Sequence, residues 1–139
     1  MAEHLLVVQL KFVRSEFVRC LDEVTDEEAR RRFEPMNCIS WMVAHMADQE
    51  NRYWNLRARG IEIHPELNEL AGFKKPASSP SLEDMWKAWK EVTKTADAFL
   101  ETLTPDMMQT RFIWEGKHVR ENIGTMLLRK CVSLLVPLW

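Results

Sequence analysis

Between Pro35 and Gly60 the chain reads CISWMVAHMADQENRYWNLRAR, residues 38–59. Ile39, Met42, Val43, Met46 and Tyr53 recur there at the steps that place side chains on one face of an α-helix. Pro35 breaks any helix before the stretch, and Gly60 supplies the stop after it. Some 22 residues make a helix roughly 33 Å long, too long to stand alone and amphipathic enough to need partners.

The partners are legible on both sides. Leu6, Leu10, Val13, Phe17, Leu21 and Val24 form one apolar stripe, predicting a first helix of about two dozen residues. The TDEE run at Thr25–Glu28 has the form of a capping box and starts a short helix that Pro35 ends. Beyond the central helix, Pro80, Ser81 and the acids Glu83 and Asp84 open a third long helix. It continues to about Leu103, with Met85, Trp89, Val92, Ala96, Phe99 and Leu103 as its stripe. Thr104 and Pro105 begin one more capped turn, and RFIWEGKHVR at residues 111–120 reads as a small hairpin around Glu115 and Gly116. A fourth helix follows, turning Val119, Ile123, Met126 or Leu127, and Cys131 inward. The expected fold is all-α: one domain over residues 1–139, a four-helix bundle with its fourth helix cut short.

Helices two and three are joined by about twenty residues, from Gly60 to Pro80. A crossover that returns along the bundle explains this length, since twenty extended residues reach about 66 Å. A lid over a pocket is the other reading of so long a connection.

The composition excludes several classes of function. Hydrophobic residues at 46% and charged residues at 29% belong to a folded globular chain. Net charge is −2, and the basic run Arg30–Arg32 follows three acids, so a nucleic-acid surface has no electrostatic support. The apolar run LLVVQL near the N-terminus is broken by Gln9 and followed by Lys11 and Arg14, which fits neither a signal peptide nor a membrane span. Cys20, Cys38 and Cys131 form no C-x-x-C pair and read as free thiols of a reducing compartment, making the cytoplasm the expected location.

Of the four histidines only His45 lies within a long element, while His4, His64 and His118 read as surface residues. Trp41, His45 and Asp48 share a helix face, so the imidazole should be at least half buried, as a hydrogen-bonded residue at the core edge or as a metal ligand. Trp86 and Trp89, with Trp41 and Trp54, are either core or the lining of an apolar pocket. Cys38, near a helix start, is an inert buried cysteine or a thiol of lowered pKa. Asp48 and Glu50 read as a solvated face. No phosphate-binding glycine loop, G-x-S-x-G or H-E-x-x-H motif is present.

Residues 36–54, MNCISWMVAHMADQENRYW, resemble the second-helix signature of the DinB-like superfamily, in which a tryptophan precedes a metal-ligand histidine by four residues. Residues 66–90 and 121–129, the latter ENIGTMLLR, are similar to its next two blocks, so that the resemblance runs over about residues 5–130. It implies a four-helix bundle with a long crossover and a divalent metal, zinc or nickel, held by three histidines in an open pocket. It further implies, for the intact family, thiol transfer with a small-molecule thiol such as bacillithiol or mycothiol, or a hydrolase. Only the first ligand carries over, onto His45; Cys131 and Asp48 are the other donors to consider. The remaining two histidines belong on helix four just after Leu127–Arg129, where this chain has KCVSLLVPLW.

That apolar tail has a reading in the genetic code. Synonymous codons for Cys131–Trp139 permit a frame, one base forward, that encodes Ala-Tyr-His-Tyr-Trp-Phe-His-Cys, with histidines at the i, i+4 spacing of a helical metal pair. The expectation is a family member frameshifted or truncated after about Arg129 and impaired in its metal chemistry. Its fourth helix should end near Val136 and leave Leu134, Leu135, Leu138 and Trp139 exposed. Pairing with a second chain as a homodimer follows, and a non-enzymatic dimerisation module is the alternative function.

Overall fold

The computed structural model describes residues 2–135, which form an all-α protein carrying one two-residue hairpin. The chain divides into two compact units, one built from residues up to Asp22 together with those from Asp97 onward, the other from Glu23 to Ala96.

In the first unit α1 (Leu5–Cys20) buries Val7, Leu10, Val13 and Phe17, and packs on α6 (Ile123–Leu135). The helix is shorter than the apolar stripe suggested. Asp22 and Glu23 would meet the negative end of the helix dipole, and Thr25 is already committed to capping the next helix. His4 caps α1, its Nδ1 accepting from the Leu6 N–H at 3.1 Å. Arg14, buried among the apolar residues, donates to Asp97 at 2.6 Å. Leu103, Phe112, Met126, Leu127 and Leu134 complete this core. Of the fourth-helix residues expected in solvent, Leu135 is exposed, but Leu134 is buried because it follows Leu127 and Lys130 on the inner face of α6, while Leu138 and Trp139 lie outside the described residues. The predicted hairpin is present: β1 (Ile113–Trp114) pairs antiparallel with β2 (Lys117–His118), and Glu115 and Gly116 both take the positive φ their two-residue turn requires. Val119 lies after β2 and not within α6. The Asn122 side chain accepts from the Thr125 N–H at 2.8 Å, so the helix starts later than its apolar pattern.

The second unit is organised by α3 (Ile39–Glu50), which continues without a break as a π-helical segment, Asn51–Arg57. The buried face is Val43, Ala44, Met46, Ala47 and Trp54, while Ile39, Met42 and Tyr53, expected in the core, are half buried. Ahead of it α2 (Asp26–Arg30) has the expected capping box but stops well before Pro35, with Arg31 already extended. Asp26 also accepts from the Leu82 N–H at 2.9 Å, at the start of α5 (Leu82–Leu100). Ser81 caps α5 through the Asp84 N–H, and α5 buries Met85, Trp89, Val92 and Ala96 as its stripe predicts.

Helices α3 and α5 run in the same direction. Cys38, at the start of α3, touches Ser78 and Ser79 just before α5, whereas Asn55 and Arg59, at the end of the π segment, donate to the Val92 and Thr95 carbonyls. The link between them is therefore a crossover, and it is not structureless. It contains α4 (Glu66–Ala71), packed on α3, with Pro65 and two acids at its start and Gly72 at its end.

The wider π turn places Asn51 and Asn55 inside together. Asn55 donates to Asn51 Oδ1 at 3.1 Å and to the Val92 carbonyl at 3.3 Å, and Asn51 donates to the Ile63 carbonyl of the crossover. Two interior amides thus tie three stretches of backbone. Asn55→Ala strips that tie and leaves buried polar atoms without their partner, a loss of about 1–3 kcal/mol. Urea unfolding followed by far-UV circular dichroism measures it; a change below about 0.5 kcal/mol, the size expected at an indifferent surface position, would contradict the role assigned to the pair.

Candidate functional site

His45 sits near the middle of α3, half buried, with Trp41 stacked on it one turn earlier at 4.8 Å between ring centroids and 8° between planes. Its Nδ1 donates to the Ala71 carbonyl at 2.7 Å. Ala71 is the last residue of α4, where helical carbonyls lack a partner inside the helix, and Gly72 makes the turn away. On the other side of the ring the Gln49 amide nitrogen, 3.0 Å away, donates to Nε2. The pair of contacts selects the neutral tautomer with its proton on Nδ1 and its lone pair on Nε2. Both contacts fit a hydrogen-bonded residue at the core edge, one of the two readings of His45 drawn from the sequence.

A backbone carbonyl on Nδ1 is also the contact that orients metal-ligating imidazoles, so the ring itself is suited to offer Nε2. The donor set around it is not. Among the described residues no three His, Cys, Asp or Glu side chains come together in a way that could hold a metal ion. Asp48 Oδ2 accepts from the Asn68 amide at 3.4 Å. One imidazole does not make a closed or a catalytic zinc site, so the residues present do not fit the metal that the sequence resemblance implies.

The solvated face expected at Asp48 and Glu50 is instead interior, at 3% and 1% exposure. At Asp48 the crossover folds back over the helix through Asn68, which periodicity along α3 could not reveal. Asp48 lines an open cavity of about 730 Å³ between the C-terminal half of α3 and the crossover, with Asn51, Arg52, Glu62, Asn68 and Phe73 among its walls. His45 does not line it. A second cavity, of about 530 Å³, opens between α4 and α5 beside His64, Asp84, Lys87 and Glu91. The crossover is thus both a return path and a wall. Neither cavity is lined by a tryptophan, and Trp54 and Trp89 are buried in the core, the first of the two readings of their spacing.

Cys38 is the N-cap residue of α3 and is buried. Burial pushes its thiol pKa up, but hydrogen bonds from the Ser40 and Ser79 hydroxyls and from the Trp41 and Ser40 N–H groups bring it below the ordinary value. The thiolate-favouring environment is closed to reagents, which makes it a structural feature.

His64, read from the sequence as a surface histidine, is the most strongly engaged of the four. At φ +48° it stands in the left-handed region, with Nδ1 on Glu66 at 2.7 Å and Nε2 on Glu91. Two carboxylates on two ring nitrogens require both to be protonated. Burial opposes that charge, but the hydrogen bonds and attraction of Glu66 and Glu91 outweigh it and raise the His64 pKa above its usual 6.5. Burial likewise disfavours the Glu66 carboxylate, yet the His64 contact holds its pKa below 4.5. Because the His64 pKa is higher folded than unfolded, its contribution is complete below pH 6.5 and is lost as pH rises through the elevated value. The Glu66 contribution is complete above pH 4.5 and is lost as pH falls through the lowered one. Protection factors of the α4 amides, in which the base-catalysed intrinsic rate is divided out, are therefore expected to be highest between these limits and to fall on the alkaline side, a response that His64→Asn abolishes. An imidazole titrating below 6.5, or α4 protection indifferent to pH in the native chain, would contradict this.

Among the described residues no helix is long and apolar enough to cross a membrane. A search of curated proteins finds no match to the chain. A sequence profile of the DinB superfamily matches residues 9–132, which run from within α1 to within α6 and include His45 and both ends of the crossover. The chain belongs to the DinB superfamily.

Proposed function

We propose that this protein is a DinB-superfamily member in which divalent-metal-dependent thiol transfer or hydrolysis is impaired, because the ligand set is reduced to the single imidazole of His45. The observation that carries the reading is the engagement of both ring nitrogens within the protein, Nδ1 by Ala71 and Nε2 by Gln49, with no group of three His, Cys, Asp or Glu side chains among the described residues that could hold a metal ion. The sequence adds that KCVSLLVPLW, residues 130–139, holds no histidine where the resemblance calls for a spaced pair on the fourth helix. A lone imidazole binds zinc or nickel weakly, since the affinity of such sites comes from three or four ligands held in one geometry. A small-molecule thiol would then find no metal to lower its pKa.

The second reading is a non-enzymatic helical module in a reducing, cytoplasmic setting, and it is favoured by one observation: large apolar side chains on α1 and α6 stand in solvent.

Metal content separates the two from an intact enzyme. Protein purified without chelators is expected to carry well under one zinc or nickel per chain by elemental analysis, and one equivalent of either ion should leave the melting temperature of native and His45→Ala protein equally unchanged. A stoichiometric metal that disappears on His45→Ala would overturn the proposal.

A further inference from the structure

We propose that the cavity between the C-terminal half of α3 and the crossover binds a zwitterionic small molecule of dipeptide size, its carboxylate on Arg52 and its ammonium on Glu62. Both side chains line the cavity, whose volume is about 730 Å³. That volume lies within the roughly 300–1,000 Å³ of sites that enclose small organic molecules.

Four carboxylates and one guanidinium line the cavity, and three of the carboxylates already have partners within the protein. Asp48 accepts from the Asn68 amide at 3.4 Å, Glu66 accepts from His64 at 2.7 Å, and Glu69 pairs with Lys75 at 3.5 Å. Arg52 and Glu62 are the two left over. Among the described residues neither side chain makes a hydrogen bond or an ion pair, whether with the other or with a third group.

Both are nevertheless set on anchored backbone. Arg52 belongs to the π segment that continues α3. Glu62 lies between two tethered neighbours: the Ile61 N–H donates to the Asn55 carbonyl at 3.1 Å, and the Asn51 amide donates to the Ile63 carbonyl. Two opposite charges thus face one cavity without meeting, each on a wall that costs little to order. A molecule that carries both charges satisfies both groups at once. An anion alone on Arg52 would meet the surrounding carboxylates, and a cation alone on Glu62 would leave Arg52 unanswered beside it, so the walls disfavour singly charged ligands. An α-amino acid holds its two charges on one carbon, whereas a dipeptide sets them a residue apart, as two side chains that do not meet require.

The remaining lining suits the middle of such a molecule. Leu56 and Pro65 are apolar, and Phe73 keeps 76% of its surface in solvent, an aromatic ring that serves no core. Arg52 is half buried, and its planar fork takes a carboxylate through two parallel hydrogen bonds. His45 is outside this lining, so the site makes no demand on a metal.

Isothermal titration calorimetry of the full chain with L-alanyl-L-leucine, without added metal, tests the proposal. The dipeptide is expected to bind with a dissociation constant of about 1 mM or tighter, and N-acetylation or C-amidation, each removing one charge, should weaken it about fivefold or more. Two variants assign the ends. Arg52→Gln should bind the free and amidated dipeptides equally while still preferring the free amine, and Glu62→Gln should bind the free and acetylated dipeptides equally while still preferring the free acid. Glu115→Gln, in the hairpin turn and outside the lining, should behave as the native chain. No binding at about 10 mM dipeptide, blocked forms that bind as well as the free one, or variants that keep both preferences would each overturn the assignment. Should a variant fail to fold, amide chemical shifts of the native protein decide it: changes on adding the free dipeptide that centre on residues 48–73 support the site, and changes elsewhere or none refute it.

Discussion

A single backbone carbonyl, that of Ala71, determines what His45 can do. It is available because α4 ends there, and α4 ends there because the chain turns at Gly72, where a Cβ would meet the Asn68 carbonyl oxygen at 2.4 Å. By accepting the Nδ1 proton it fixes ring orientation and tautomer together, leaving Nε2 with a lone pair that the Gln49 amide covers. The imidazole is posed as a ligand would be, yet it meets an amide where a second donor would be needed. Among the described residues no group of three His, Cys, Asp or Glu side chains that could hold a metal ion joins it.

The same crossover shapes the polar interior. A π segment is uncommon, and here it brings Asn51 and Asn55 inward on consecutive turns, where they bind the carbonyls of Ile63 and Val92. Buried amides without partners would cost more than the hydrogen bonds return, so the crossover and α5 have to stay in place for the π turn to be tolerated. His64, clamped between Glu66 and Glu91, pins the start of α4 to α5, and Ala71 pins its end to α3. The link is held at both ends by imidazole rings, and through His64, whose pKa is raised by Glu66 and Glu91 against the effect of burial, the wall of the α4–α5 cavity depends on pH.

Much of this was legible in the sequence because it rests on local rules. Periodicity located α1, α3, α5 and α6, the capping box at Thr25 marked α2, and the Glu115–Gly116 pair marked the hairpin. The errors have a common cause. Periodicity along one helix reports which face is apolar, not what lies over the other face, and so Asp48 and Glu50 were read as solvated although both are buried, Asp48 beneath Asn68 of the crossover. The missed helix α4 did carry a signal, Pro65 and Glu66 ahead of Leu67, Leu70 and Ala71 with Gly72 as stop, but it is only six residues long and sits in a segment rich in proline and serine. His64 looked like a surface residue because Glu91, one of its two partners, is 27 positions away. At the candidate site the position of His45 was legible, and its partner Ala71 was not, because a backbone carbonyl has no identity in a sequence.

Membership of the DinB superfamily raises the question of metal chemistry, and the donors around His45 answer it in terms of one ring. The most direct measurement is a long-range ¹H–¹⁵N spectrum of the histidine side chains, recorded before and after one equivalent of zinc. The account predicts His45 as the tautomer protonated on Nδ1, with its Nε2 resonance unmoved by the ion. A His45 Nε2 that shifts stoichiometrically on adding zinc, to the position of a coordinated nitrogen, would contradict it.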